Sequence, residues 1–273
     1  MKIDFPEVSI WKQDNELIHI ARCARVCYAS EGNGLKLVNI LWDNNHRSMF
    51  RHAGVYYIIP EKLVLPFEAY KDVMIILEEG KYYVSTNRQT ANEWFDCKYK
   101  KYEIPIEEAK QNEVFVKYKM IRYTFCIQTG IDITRELNRK SPNNIAEQST
   151  RYIDFNKKIG IIYKYCHWMK NLSLYKLILV NLICKVGELL YKISRSKYGL
   201  NLSPEDARWC LFLDTMSKVV YTYTVKDWEY IINLRLFDYT GKAHPDAKVV
   251  ASSIKKNLEK EGYEIINIKD CQP

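Results

Sequence analysis

The sequence predicts an α+β fold, a mixed sheet with flanking helices, and three observations carry that reading. Short runs rich in aromatic and β-branched residues, "AGVYYIIP", "MIRYTFCIQT" and "VVYTYT", have the character of strands. Segments with apolar residues three and four apart, such as "DNELIHIARCARVCYAS" and "HPDAKVVASSIKKNLEKEG", have the character of helices. The two kinds are scattered rather than alternating one for one, which argues against a regular βαβ sheet.

The first helix places Leu17, Ala21, Ala24 and Tyr28 on one stripe with Ile18 beside it, and Asp14 is its expected N-cap. A short helix in "LKLVNILWDN" follows the "GNG" turn, and the strand "AGVYYIIP" ends at Pro60. Residues 61–120 read as a segment inserted into a single domain. It contains a helix through "FEAYKDVMIILEEG", a strand at "KYYVST", and a polar stretch whose Trp94, Phe95 and tyrosines call for burial rather than disorder. The strand "MIRYTFCIQT" then leads into a short helix in "GIDITRELNRK".

"LYKLILVNLICKVGELLYKI" is the most apolar run, yet Lys176, Lys185, Glu188 and Lys192 interrupt it before the ~20 apolar residues of a membrane span. It is expected as a long core helix from about Trp168 to Ser196. Ser203 as N-cap, Pro204 at the first helical position and Asp206 three residues after the cap mark the next helix start. "VKDWEYIINLRLF" reads as helical, and the final helix stops at Gly262.

The chain has 273 residues, 47% hydrophobic and 27% charged, which suits a globular protein with a substantial core. Its net charge of +8, from 41 Lys and Arg against 33 Asp and Glu, is compatible with a polyanionic partner but equally with a solvated basic surface. Asp and Glu within "MKIDFPEVSIWKQDNE" break the apolar core that a signal peptide requires, so a cytoplasmic location is expected. The eight cysteines form no CxxC pair. Cys23 with Cys27, and Cys166 beside His167, are read as small buried side chains, so no metal is expected. No GxGxxG, GxxxxGK[ST] or GxSxG occurs, which leaves a Rossmann pyrophosphate loop, a P-loop and a serine-hydrolase elbow unsupported.

The densest chemistry lies in "TRELNRKSPNNIAEQSTRYIDF", residues 134–155. Arg135, Arg139, Lys140 and Arg151 surround Glu147 and Ser149. Ser141, Pro142, Asn143 and Asn144 stop a helix there, because Pro lacks an N–H and Asn and Ser compete for backbone hydrogen bonds. The cations therefore converge on a loop. Arg208 in "DARWC" and Arg235 in "INLRLF" sit on apolar helical stretches, where a guanidinium is costly to bury unless it meets an anion. Taken singly, each is explained by an internal salt bridge or a snorkelling side chain. Together with the loop, they offer forks suited to a phosphate or a pyrimidine carbonyl, gathered in one positive cleft.

These residues carry a resemblance. "RKSPNNIAEQSTRY" resembles the defining loop of the flavin-dependent thymidylate synthases: Arg-His-Arg, then seven residues, then Ser, with Glu two before that Ser and Arg-Tyr beginning two after it. Arg139, Glu147, Ser149, Arg151 and Tyr152 match in register, while Lys140 and Ser141 stand for the His and second Arg. "ARVCYAS" is similar to the family's Ala-Arg-x-Ser-Tyr. "HRSMFRHAGVYYI" is similar to its His-x-Ser-x-x-Glu-His-x-x-Phe-x-Phe, with His52 matching and Arg51 in the place of Glu. "TRELNRK" resembles the lead into the loop, Glu136 replacing Gln. "ARWCLFLDTMSKVVYTYTVKDWEYIINLR" and "KAHPDAKVVA" resemble later segments, matching Arg208 and Arg235. The similarity covers residues 20–59, 121–155 and 205–255.

The resemblance implies methylation of deoxyuridine monophosphate (dUMP) at C5. Methylenetetrahydrofolate would be the carbon donor and FAD, reduced by NADPH, the hydride source, with no cysteine nucleophile. It places Glu136, Glu147, Ser149, Arg151, Arg208 and Arg235 at the nucleotide, with Arg235 and Ser149 nearest the chemistry. His52, Arg139, Lys140, Ser141, Lys226 and Tyr230 fall at the flavin. Lys226 stands for an Arg, and Thr224 and Tyr230 for Asn. A homotetramer with sites shared between subunits is also implied, with neither a membrane nor a nucleic acid as partner. Three alternatives stay open: a variant that hydroxymethylates dUMP, a nucleotide-binding homologue without catalysis, and a nucleic-acid-binding protein using its charge and 21 tyrosines.

Overall fold

The computed structural model describes residues 2–32, 34–63, 72–158 and 160–271. In chain order, β1 (Lys2–Asp4) and β2 (Glu7–Trp11) precede α1 (Glu16–Val26), α2 (Gly34–Asp43) and a 3-10 turn at Arg47–His52. Then come β3 (Gly54–Pro60), β4 (Met74–Glu78), β5 (Lys81–Asn87), α3 (Arg88–Thr90) and α4 (Asp96–Tyr99). β6 (Glu103–Ile104), α5 (Ile106–Gln111), α6 (Glu113–Lys117), β7 (Arg122–Gly130), α7 (Ile131–Leu137) and β8 (Ile145–Glu147) follow. The last part holds α8 (Phe155–Lys158), β9 (Ile162–Lys164), α9 (Leu174–Arg195), α10 (Pro204–Ala207), β10 (Met216–Thr224), α11 (Val225–Arg235) and α12 (Pro245–Lys260).

The α+β class holds. Both four-stranded sheets, ordered β2-β7-β10-β8 and β4-β5-β3-β6, are antiparallel, and among the described residues parallel pairing is confined to the short β1–β9 ladder. The first sheet positions the site. Its β7–β10 ladder sets Ile127 opposite Val219 and Phe125 opposite Tyr221. Because side chains alternate across a sheet, these point to one face, where they meet Trp228, Ile231 and Ile232 of α11 and Val250 and Ile254 of α12. Trp228 is fully buried and its indole N–H donates to the Tyr123 carbonyl at 3.0 Å, so its large apolar area is buried without an unmade hydrogen bond.

Segment 61–120 contributes to this same core through Tyr83, Ala109, Phe115 and Met120. A buried ion pair joins the two sheets: Arg122 on β7 donates to both oxygens of Asp72 at 3.0 and 3.1 Å, and Asn87 and Asn144 donate to the same carboxylate. The helix expected through "FEAYKDVMIILEEG" is corrected in its second half, where Met74–Glu78 is a strand; residues 64–71 lie outside the described residues. A short apolar run carries no period of its own, and here pairing with β5 decides it.

Two helices also differ from expectation. Asn15, not Asp14, caps α1, its side chain accepting from Ile18 N at 3.0 Å. The buried face is accordingly His19, Ile20, Cys23, Ala24 and Val26 with Ala21, while Leu17, Ile18 and Tyr28 are exposed. α9, expected as a core helix, buries only Cys184, Gly187, Tyr191 and Ser194; Leu174, Ile178, Leu182, Ile183, Val186 and Leu189 face outward. No described helix is long and apolar enough to cross a membrane.

Candidate functional site

β7 ends at Gly130 and passes directly into α7, which carries Arg135 and Glu136 toward α11. Arg235, in the last turn of α11, is 8% exposed. Its Nε donates to the Glu136 carbonyl at 2.7 Å, and its terminal nitrogen lies 3.2 Å from the Glu136 carboxylate. Arg139 approaches the same carboxylate at 3.6 Å. Burial pulls Arg235 below the ordinary guanidinium range; the Glu136 charge opposes this and Arg139 adds to it. Two cations thus share one half-exposed carboxylate, which leaves this group with one positive charge in excess.

Lys140 pairs with Asp227 at 2.6 Å, and Asp227 N and Oδ2 both engage the Thr224 hydroxyl that caps α11. Glu136 therefore meets the last turn of α11 and Lys140 the first, eight residues or about 12 Å apart along the helix, so the chain between them runs beside α11. Lys226 and Tyr230, one turn apart on α11, are exposed. Ser141 is exposed just beyond Lys140.

A second group forms after β8. Ser149 N donates to the Cys27 carbonyl at 3.0 Å, tying the loop to the end of α1, while Ser149 Oγ accepts from Arg151 N at 3.1 Å. Arg151 engages both oxygens of Glu205, at 2.7 and 3.3 Å, and Glu205 lies on α10 just before the exposed Arg208. Glu147, on β8, lies between the two groups. Burial raises its carboxyl above the usual carboxylate range, and the Thr134 and Ser217 hydroxyls and Arg135 offset this in part.

Within one chain, then, the twelve predicted residues are distributed rather than gathered in a single cleft. Glu136, Arg139, Lys140, Lys226, Tyr230 and Arg235 line α11, with Ser141 following. Ser149, Arg151 and Arg208 sit at the loop, with Glu147 between the groups. His52 stands apart: it is fully buried, and its Nδ1 pairs with Thr222 Oγ1 at 2.9 Å. Thr222 continues to Thr124 at 2.7 Å, and Thr124 to His19 Nε2 at 2.9 Å. Burial pushes His52 down to about 3 and His19 to about 4, so both rings are neutral at pH 7.

Sequence reasoning missed a cavity of about 640 Å³ on the opposite face of the first sheet, between α1, β2 and the start of β10. Arg22, Arg25 and Lys218 line it against Glu31, with Gln128 and Gln148 supplying amides; none of the twelve predicted residues is among its described lining. The Arg22 guanidinium stacks 3.8 Å from the Trp11 ring centroid. This lining suits an anionic ligand with a flat apolar part. The available signal was the pair Arg22 and Arg25, three apart on α1.

In comparisons with known proteins, the Thy1 family model, described as thymidylate synthase complementing protein, matches residues 84–261, well over half of the chain. The matched range begins within the segment expected as an insertion. No curated protein matches the chain. Among solved structures, the chain is similar to a UMP/dUMP methylase, PolB, from Streptomyces cacaoi bound with 5-Br dUMP: 14% identity, 95% of this chain and 93% of that one covered, TM-score 0.46. The same protein bound with 5-Br UMP gives 13%, 95% and 92%, and a TM-score of 0.47. Thymidylate Synthase X from Helicobacter pylori with FAD and dUMP gives 14%, 58% and 90%, and a TM-score of 0.39. The extent of the family-model match is decisive: the chain belongs to the Thy1 family of thymidylate synthase complementing proteins.

Proposed function

We propose that this chain is an enzyme that transfers a one-carbon unit from methylenetetrahydrofolate to C5 of dUMP, giving dTMP, with FAD as cofactor and NADPH as reductant. Family membership supports this reading, and the observation that carries it is Arg235, nearly buried, sharing Glu136 with Arg139. A guanidinium fixed in that position would stabilise the negative charge that develops on the pyrimidine carbonyl when C5 becomes nucleophilic. Glu136 would hold both arginines in place, and Arg151, Arg208 and the Ser149 hydroxyl would take the phosphate. Hydrogen bonds to a charged group are each worth ~1.5–3 kcal/mol. Glu147, partly buried beside the Thr134 and Ser217 hydroxyls, would present a hydrogen-bonding carboxyl group toward the base.

FAD, when bound, would supply the hydride. Arg139, Ser141, Lys226 and Tyr230 are exposed and available to it, and Lys140 is half-buried on Asp227. Lysine neutralises a phosphate but does not fork to it. His52 is fully buried and would meet a flavin only if its surroundings opened. The outward apolar face of α9 supports assembly of several copies, as in the proposed homotetramer, and sites shared between subunits would bring the α11 and loop groups together. In the same proposal, residues 61–120 elaborate a single domain and the protein works in the cytoplasm.

A second reading has its own observation. Lys140 and Thr224 both engage Asp227, so two flavin-side positions are already satisfied within the chain, as in a homologue that binds nucleotide without catalysis. The visible spectrum separates the two. The enzyme reading expects bound FAD that NADPH bleaches without oxygen in the presence of dUMP; dUMP binding by a protein that never takes up FAD would favour the second. Arg235→Ala is expected to abolish turnover with the fold intact, checked by circular dichroism and a dTMP assay. Near-normal turnover would remove its proposed role.

A further inference from the structure

We propose that His167, His244 and Asp246 form a binding site for one divalent transition-metal ion of the zinc class, built from none of the residues assigned above and independent of the proposed reaction. His167 opens the 3-10 turn His167–Asn171 after β9; His244 and Asp246 flank Pro245 at the start of α12. Seventy-seven residues or more separate the two elements, so no spacing pattern announces the site. Folding brings one ligand atom from each residue within 4.8 Å of the others. The two imidazoles stand edge to face, with centroids 5.2 Å apart.

The Asp246 carboxylate is fixed before any ion arrives. Its Oδ1 accepts the His167 backbone N–H at 2.9 Å and lies 3.2 Å from His167 Nδ1, while Oδ2 lies 2.9 Å from Lys164 Nζ. Lys164 engages Oδ2, so Oδ1, which accepts one backbone N–H, keeps a further lone pair beside the His167 ring for a metal. The carboxylate is 5% exposed while the two rings are 40% and 43% exposed, which gives a buried anchor with two ligands open to solvent; His244 Nδ1 accepts from Asp246 N at 3.3 Å, which leaves its Nε2 for a metal.

Charge favours a dication over further hydrogen bonds. Lys164 is buried among three carboxylates: Asp132 at 2.6 Å, Asp246 at 2.9 Å and Asp214 at 3.5 Å. One ammonium against three carboxylates leaves two negative charges, which one divalent ion would neutralise. Two imidazoles and one carboxylate match zinc, cobalt or nickel better than magnesium or calcium, which favour all-oxygen sites. With three protein ligands the fourth position would hold water. The ion would tie the end of β9 to the start of α12.

The full chain, freed of metal by a chelator and held under reducing conditions, would be titrated calorimetrically with zinc. Visible absorption on adding cobalt would report the ligand set. One ion per chain is expected, with a thermal midpoint that rises with zinc. His167→Ala combined with His244→Ala, both at exposed rings, should weaken binding by about tenfold or more and remove the midpoint shift. His244→Gln alone repeats the test if the double variant fails to fold. Absence of zinc binding by the native chain overturns the proposal, as does equal binding by native and variant chains, which would place the ion on other groups such as the cysteines.

Discussion

Helices α9 and α12 carry the same kind of apolar spacing and meet opposite fates. α12 sets Ala247, Val250, Ala251, Ile254 and Leu258 into the core against the first sheet and α11. α9, at 22 residues the longest helix described, turns Leu174, Ile178, Leu182, Val186, Leu189 and Ile193 outward and buries a narrow strip. Periodicity establishes that a helix has an apolar face, but it does not say whether the same chain covers that face. The lysines on α9 interrupt the apolar run that a membrane span requires. In the proposed homotetramer this exposed face is what a second copy would cover.

The sharpest test of that contrast is a matched pair at its two ends. Ile254→Ala in α12 removes packing from a fully buried position and should cost about 2–5 kcal/mol in a denaturant titration. A loss well under that range would mean α12 is only loosely part of the core.

Acid should probe the α1 face of the first sheet, where His19 and His52 are held neutral by burial. The unfolded chain takes up their protons first, near pH 6.5. The stability these rings contribute is therefore complete above that pH and declines as the pH falls toward about 4 for His19 and about 3 for His52. The slope is ~1.4 kcal/mol per pH unit for each ring. His52→Gln should flatten it, and an unchanged slope would contradict the buried neutral state.

Smaller still is the cap of α10. Ser203 Oγ accepts from Asp206 N at 3.1 Å, and Ser203→Ala should cost about 1 kcal/mol. At the low end, Leu182→Ser on α9 should change the stability of the monomeric fold by less than ~0.5 kcal/mol while lowering the mass seen by light scattering. Destabilisation on the scale of Ile254→Ala would show instead that α9 is covered by its own chain.

What the sequence made legible follows from the range of the forces involved. β10 and α11 were readable because a β-branched, aromatic run ends at Thr224, which caps the helix that follows; the Ser203–Pro204 start was readable in the same way. The cap of α1 was misplaced by one residue, since Asp14 and Asn15 are both good caps and tertiary packing selects between them. The strand at Met74–Glu78 was misread because its identity depends on β5 across a turn. At the site, the loop chemistry was visible as a cluster of cations, and the resemblance added Arg235. The contact of Arg235 with Glu136, ninety-nine residues away, belongs to the fold. So does the cavity of Arg22, Arg25 and Lys218, drawn from a helix and a strand with no common motif.

The central claim is that a guanidinium held on Glu136 serves one-carbon transfer to dUMP. Its most direct test is an anaerobic reaction of the purified chain with FAD, NADPH, methylenetetrahydrofolate and dUMP, with the nucleotide product identified by mass. The account predicts dTMP from the native chain and none from Arg235→Ala. Bound and reducible flavin with dUMP returned unchanged, or a product carrying a hydroxymethyl group, would contradict it.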